Sequence, residues 1–340
     1  MAQDPLFSNF FANRLSVNPA FAGDDGQGKL RISSQYRNIY RSVKGPLNAT
    51  TFGSDYGVSN TNIGIGFLAS NETQGDGLLN SNYLGGIMSI RKELGRSCYS
   101  TLGFQLSYFS QTIDWNQFIF SDQLDPVYGI AQSSGNQNSN RQFSSQKDMS
   151  IGGLIKWWDW KRVNTFGLTF NHGPSRTKVG FLSNYQIPVR ISLHYGFFYK
   201  PNPKIPDNAK EIQIRVDKQD NAVISIFNFN WYLNDKISAG TGLRTCFYRG
   251  EIFKNTQNIL FNVSFQPTEN IKIISGYEAS FGGINLLGGG NCFELGIIFI
   301  PHASFTSFRS ISNSFQLKCK TKARLMPCPV FNKVKIIAPF

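Results

Sequence analysis

Three histidines are the first residues to weigh for chemistry, and they are scattered: His172, His194 and His302. His194 falls on the polar face of its segment and reads as an internally satisfied histidine rather than a catalyst. Five cysteines (Cys98, Cys246, Cys292, Cys319 and Cys328) form no CxxC pair and no zinc spacing, so no metal site is expected. Cys98, Cys246 and Cys292 sit in strand-like stretches, where a thiol behaves as a small apolar group. Cys319 and Cys328 could pair in an oxidising compartment, but nothing in the sequence demands it. Asp24-Asp25-Gly26 is an ordinary turn signal, and Asp122 and Asp125 read as a solvated loop. Gly288-Gly289-Gly290 precedes a strand-like segment and lacks the strand–loop–helix setting of a phosphate cradle. No catalytic constellation is expected, and no cofactor.

The 340 residues include 32 Gly and 30 Phe, with only 16 % charged residues, against about 25 % in soluble domains. Mean hydropathy is nevertheless −0.24. Low charge and many aromatics without net hydrophobicity suit a chain that faces lipid on alternate residues. No stretch approaches the ~18 consecutive apolar residues of a transmembrane helix. The net charge is +13, concentrated late: after Glu294 come Arg309, Lys318, Lys320, Lys322, Arg324, Lys333 and Lys335 without an acid. Such a tail suits an anionic surface or an acidic protein. Without a recognition helix, zinc spacing or RNA-binding aromatic strand, no nucleic-acid partner is expected.

Period-two alternation dominates the chain. Leu102, Phe104, Leu106 and Tyr108 alternate with Thr101, Gly103, Gln105 and Ser107. Ile212, Ile214 and Val216 alternate with Glu211, Gln213, Arg215 and Asp217. Similar segments recur from residue 29 to residue 300. Short turn signals such as Asn234-Asp235 and Gln219-Asp220-Asn221 join them as hairpins. The expected fold is all-β: an antiparallel up-and-down transmembrane β-barrel. The region 145–185 holds three strands or four, and the even count usual in single-chain bacterial barrels favours fourteen in total. The expected division is an N-terminal plug segment over 1–28, a barrel over 29–300 with a long loop at 122–147, and a basic tail over 301–340.

A large soluble β-sandwich is the alternative. Against it stands the polar face, which is mostly Gly, Ser, Thr, Asn and Gln and suits a crowded lumen. The aromatic groups Trp157-Trp158-Asp159-Trp160, Phe197-Phe198-Tyr199 and Trp231-Tyr232 lie near strand ends and suit membrane–water girdles.

The ends of the chain add a family. Gln3-Asp4-Pro5, the aromatic pair Phe10-Phe11 and Asn18-Pro19-Ala20-Phe21-Ala22-Gly23 resemble the opening of the PorP/SprF outer-membrane proteins. Arg37-Asn38 with Gly45-Pro46, Phe293-Glu294-Leu295-Gly296, and Pro327-Cys328-Pro329-Val330-Phe331 are similar to further steps of that family. The spacing from the last strand to Cys328 is longer than the family's, and the chain continues to Phe340. The resemblance implies a bacterial outer-membrane barrel of type IX secretion, with Gln3 following a removed leader and with no enzymatic residues. Its implied partners are a secreted surface protein or its C-terminal sorting domain, periplasmic or peptidoglycan-associated secretion components, and outer-membrane lipid. Candidate contact residues are Phe10, Phe11, Asn18, Pro19, Phe21, Lys318, Lys320, Lys322, Arg324, Cys328 and Phe331. A passive or substrate-specific pore is the alternative function.

Overall fold

The computed structural model describes residues 6–39, 45–75, 79–113, 124–125, 129–130, 142–173, 187–201, 208–234, 236–248, 256–281 and 291–301. Two single-turn 3-10 helices, Arg14–Ser16 and Pro19–Phe21, precede a run of strands. These are β1 (Leu30–Ile39), β2 (Leu47–Gly57), β3 (Ile63–Gln74), β4 (Leu79–Gly95), β5 (Cys98–Ile113), β6 (Leu124–Asp125), β7 (Gly129–Ile130), β8 (Gln142–Trp158), β9 (Arg162–Asn171), β10 (Arg190–Tyr199), β11 (Ala209–Gln219), β12 (Ala222–Tyr232), β13 (Ile237–Tyr248), β14 (Thr256–Thr268), β15 (Ile271–Phe281) and β16 (Cys292–Phe299). All but β6 and β7 form one closed antiparallel barrel of fourteen strands; those two make a separate ribbon between β5 and β8. The barrel closes where β1 pairs with β16, from Ile32 opposite Phe299 to Ile39 opposite Cys292. Closure leaves no strand edge to be satisfied in lipid.

The strands form because their alternation gives each a lipid face and a lumen face. In β5, Leu102, Leu106 and Tyr108 are exposed, while Thr101, Gly103, Gln105 and Ser107 are buried. In β11, Glu211, Gln213, Arg215 and Asp217 all point inward. That charged face, the part of the sequence most compatible with a soluble sandwich, lines the lumen. β8 starts at Gln142, so the connection from β5 spans 114–141 and the polar run Ser144-Ser145-Gln146-Lys147 extends the strand. β14 continues through Pro267, where its register with β15 shifts between Phe265 and Thr268. Proline lacks a ladder donor and is tolerated at such an irregularity.

The two ends differ. At one, strands are joined across 58–62, 96–97, 159–161, 200–208, 233–236 and 269–270; at the other the connections include 114–141, 172–189 and 282–291. We call these the turn end and the loop end. β1 begins and β16 finishes at the turn end. The aromatic groups near strand ends divide between faces: Trp157 and Trp231 are exposed outward, whereas Phe198, Trp158 and Tyr232 pack into the lumen core. They are not girdle residues, because the parity of their strands turns them inward.

Leu243 sits mid-strand on the lipid face, between Phe227 and Ile259. Leu243→Arg is expected to cost about 2–4 kcal/mol of barrel stability, as for a midplane charge. Denaturant titration in lipid vesicles reads the shift.

Candidate functional site

Residues 6–28 lie inside the barrel. The path starts near the loop end and crosses to the turn end, where it enters β1. Its aromatic residues have no water left: Phe7 is 1 % exposed, and Phe10 and Phe21 are at 0 %. Burying each contributes roughly 1.5–3 kcal/mol relative to an expelled segment. Phe10 and Phe11 contact each other at 4.7 Å between ring centres, and Phe11 meets Phe21 edge-on at 5.8 Å. They pack with Leu68, Ile87, Leu154, Phe198, Ile226 and Leu260 from the wall. His194 also faces this cluster, 5.3 Å from Phe21 and 6.1 Å from Phe11. Contrary to expectation, neither of its ring nitrogens meets a hydrogen-bond partner. It serves as a flat surface for the plug rings.

The Asn18-Pro19-Ala20 step has a local cause. The Asn18 side chain caps the second 3-10 helix, its Oδ1 accepting from the Ala20 N–H at 2.8 Å, and Pro19 starts that helix. Asn18 Nδ2 also donates to the strand carbonyls of Gly153 (3.0 Å) and Leu168 (3.4 Å). The wall gives way to this turn through glycine. A Cβ at Gly103 would overlap the Ala20 backbone nitrogen, and one at Gly64 would overlap the Ala22 carbonyl.

Two ionic groups hold the ends of the segment. Near the turn end, Asp24 accepts from Lys156 Nζ at 2.9 Å and Arg14 Nη1 at 3.3 Å, with Arg91 at 3.7 Å and the Tyr99 hydroxyl bound to it. Arg14 also meets Asp25 at 2.5 Å and Asp55 at 3.8 Å. Arg31 donates to the carbonyls of Phe11 and Ala12. Burial pushes the Asp24 carboxyl up, but Lys156, then Arg14 and Arg91, outweigh it and hold it well below the usual carboxylate range. Near the loop end, Glu294 accepts the backbone N–H of Ser8 (2.8 Å) and of Asn9 (3.0 Å). Arg37 bridges Glu278 at 3.0 Å and Glu294 at 3.1 Å, and Asn228 donates to the Ser8 carbonyl at 2.7 Å. The residue Cys292, expected as apolar filling, stands beside these carboxylates. Glu278, Cys292 and Glu294 bring ligand atoms within 4.8 Å of one another, but their acceptors already serve Arg37 and the plug amides.

Because the segment runs diagonally, it leaves a space on either side. One, about 840 Å³ including its open mouth, lies toward the loop end between Ser16 and wall residues including Glu72, Gln105, His172 and Arg190. The other, about 420 Å³, lies toward the turn end beside Phe11, Glu211, Tyr232 and Lys272.

Of the candidate contact residues, Phe10, Phe11, Asn18, Pro19 and Phe21 are brought together in the lumen, and their contacts here are with the barrel's own wall. Lys318, Lys320, Lys322, Arg324, Cys328 and Phe331 lie outside the described residues, as do Cys319, His302 and the glycine triplet at 288–290. Sequence reasoning missed Asp24 as an ionic centre. The available signal was an acidic pair between two plug motifs, which turn chemistry alone explained.

Gly103→Ala is expected to unseat the plug without dissolving the barrel, so residues 6–28 become open to protease while heat-modifiable gel migration persists. Asp24→Asn leaves Lys156, Arg14 and Arg91 short of a buried partner and should cost about 3–5 kcal/mol. The Asp24 contribution is present above its unfolded value near 3.9 and is lost only as pH falls through the depressed folded one.

Comparison with solved structures gives the fold a wider setting. The Ralstonia pickettii toluene transporter TbuX is similar at 10 % identity and a TM-score of 0.50, over 84 % of this chain and 92 % of that one. The CymD monoaromatic hydrocarbon channel is similar at 10 % identity and a TM-score of 0.50, over 85 % and 91 %. At such identity the likeness concerns the outer-membrane barrel fold alone. No match is found among curated proteins. Residues 1–299 match the family described as type IX secretion system membrane protein PorP/SprF. That span takes in the plug motifs and every barrel strand, so this outer-membrane barrel belongs to the PorP/SprF family of type IX secretion system membrane proteins.

Proposed function

We propose that this barrel serves type IX secretion as a plugged, non-catalytic platform that supports export or surface attachment of one specific cargo. The cargo class is a gliding-adhesin-like protein or one carrying a C-terminal sorting domain. The family supplies the pathway. The seated N-terminal segment is the observation that favours a platform over a conduit, because a transport path would have to pass its aromatic residues, which are buried in the centre of the lumen.

Short turns face the periplasm in outer-membrane barrels, and long loops face outward. On that reading the larger cavity opens to the outside, among the connections available to cargo. On the same reading β16, which ends at the turn end, finishes in the periplasm, and the basic sequence over 301–340 follows it. Seven cations without an acid fit an acidic surface on a periplasmic or peptidoglycan-associated component.

A pore is the second reading. The likeness to barrels named as a toluene transporter and a hydrocarbon channel favours it, but it requires the segment to leave.

Two measurements test the proposal. In planar bilayers the native barrel should be electrically silent and Gly103→Ala should conduct; steady conductance by the native protein would overturn the platform. Deleting 318–340 should abolish co-purification of periplasmic components while the barrel still folds; undiminished co-purification would remove the tail from the docking role.

A further inference from the structure

The lipid face is not uniform around the turn end. On β13, β14, β16, β3 and β4 its exposed residues there include Ile237, Phe265, Phe299, Ile63 and Leu94. On β9 to β12 the chemistry changes. Arg162 lies opposite Tyr199, Tyr199 opposite Lys210, and Lys210 opposite Trp231. These four residues form one transverse row across four strands. Strand parity puts all of them outside: Phe198 and Ala209, next to Tyr199 and Lys210 in the chain, are buried toward the lumen. Trp157 of β8, 39 % exposed, flanks the row, and Trp160 in the adjoining turn is 63 % exposed.

The row is basic. Lys161 precedes Arg162, and Lys200 follows Tyr199, its N–H bonded to the Lys161 carbonyl at 2.8 Å. Asp159 is the one carboxylate among the described residues of these two connections. It is tied into its turn by the backbone N–H groups of Lys161 and Arg162, both at 2.8 Å. Among the described residues, four cations therefore stand with one carboxylate along this arc.

We propose that this row binds the phosphodiester headgroup of an anionic phospholipid in the leaflet at the turn end. Arginine presents a planar fork matched to phosphate oxygens. Tryptophan and tyrosine rings sit at headgroup level, with one side apolar and the other wet. Strands are spaced about 4.8 Å apart, so Arg162 and Lys210 stand roughly 10 Å from each other and their long side chains converge on one headgroup. Toward the membrane centre, the next outward residues are Phe197, Ile212 and Phe229, with Asn164 beneath Arg162. A ligand seated here meets cations at one end and apolar wall below. That combination fits a phosphate carrying acyl chains better than an acidic protein surface, which would have to enter the headgroup layer.

Native mass spectrometry of the full-length barrel in detergent, with equimolar phosphatidylglycerol and phosphatidylcholine, tests the site. The native protein should retain phosphatidylglycerol over phosphatidylcholine by at least about fivefold, the effect of one basic residue at an anionic surface. Arg162→Gln with Lys210→Gln should bring the ratio near parity, and Lys210→Gln alone should move it part of the way. Lys92→Gln, at an exposed cation on β4 two residues from Leu94, should leave the preference intact. Heat-modifiable migration confirms that each variant is folded. Parity in the native protein, an unchanged ratio in the double variant, or an equal loss in Lys92→Gln overturns the proposal.

Discussion

A barrel of fourteen strands encloses more space than its own inward side chains fill, and the charges inside that space must be paired. The N-terminal segment meets both demands. Asp24 stands among Lys156, Arg14 and Arg91, and Glu294 receives two backbone amides while Arg37 bridges it to Glu278. Remove the segment and the wall keeps Lys156, Arg91 and Arg37 with fewer partners. The wall is therefore built for an occupant. Its charges and its apolar patch are complementary to the plug, so the described residues form a filled cylinder.

Glycine makes that filling possible. Inward positions such as Gly64 and Gly103 admit the plug backbone to the strand surface, where any Cβ would collide with it. The same strands also turn Thr101, Gln105 and Ser107 inward beside Leu68 and Tyr99, so the wall is shallow where the plug turns and mixes polar with apolar groups around it. The diagonal path then leaves one space toward each end of the barrel. The barrel fold is shared with a toluene transporter and a monoaromatic hydrocarbon channel. In this chain Phe10, Phe11 and Phe21 occupy the centre of the lumen.

The outside of the barrel follows a different rule. It must satisfy lipid along its length and the headgroup layers at its ends. Most of it does so with Leu, Ile, Val and Phe. Over β9 to β12 the turn-end border is instead Arg, Tyr, Lys and Trp in register, an arrangement that arises only when four strands are brought side by side.

Much of the fold was legible from residues alone. Alternation is local: Leu102-Gly103-Phe104-Gln105 declares two faces whatever the strand pairs with, and hairpin turns dictate antiparallel order. The count of fourteen followed from those signals together with the parity of closed barrels. The end motifs pointed to the family for the same reason, since Asn18 caps its own helix within two residues. What the sequence could not declare was which partners the polar face would meet. Ser8 and Glu294 are 286 positions apart, and Asp24 and Lys156 are 132 apart. No periodicity links them. Only closure of the cylinder places them together, so the seat of the plug, the inward turn of Phe198 and the unpaired ring of His194 were decided by tertiary structure: side-chain direction is local, but the neighbour it reaches is set by how the whole sheet closes.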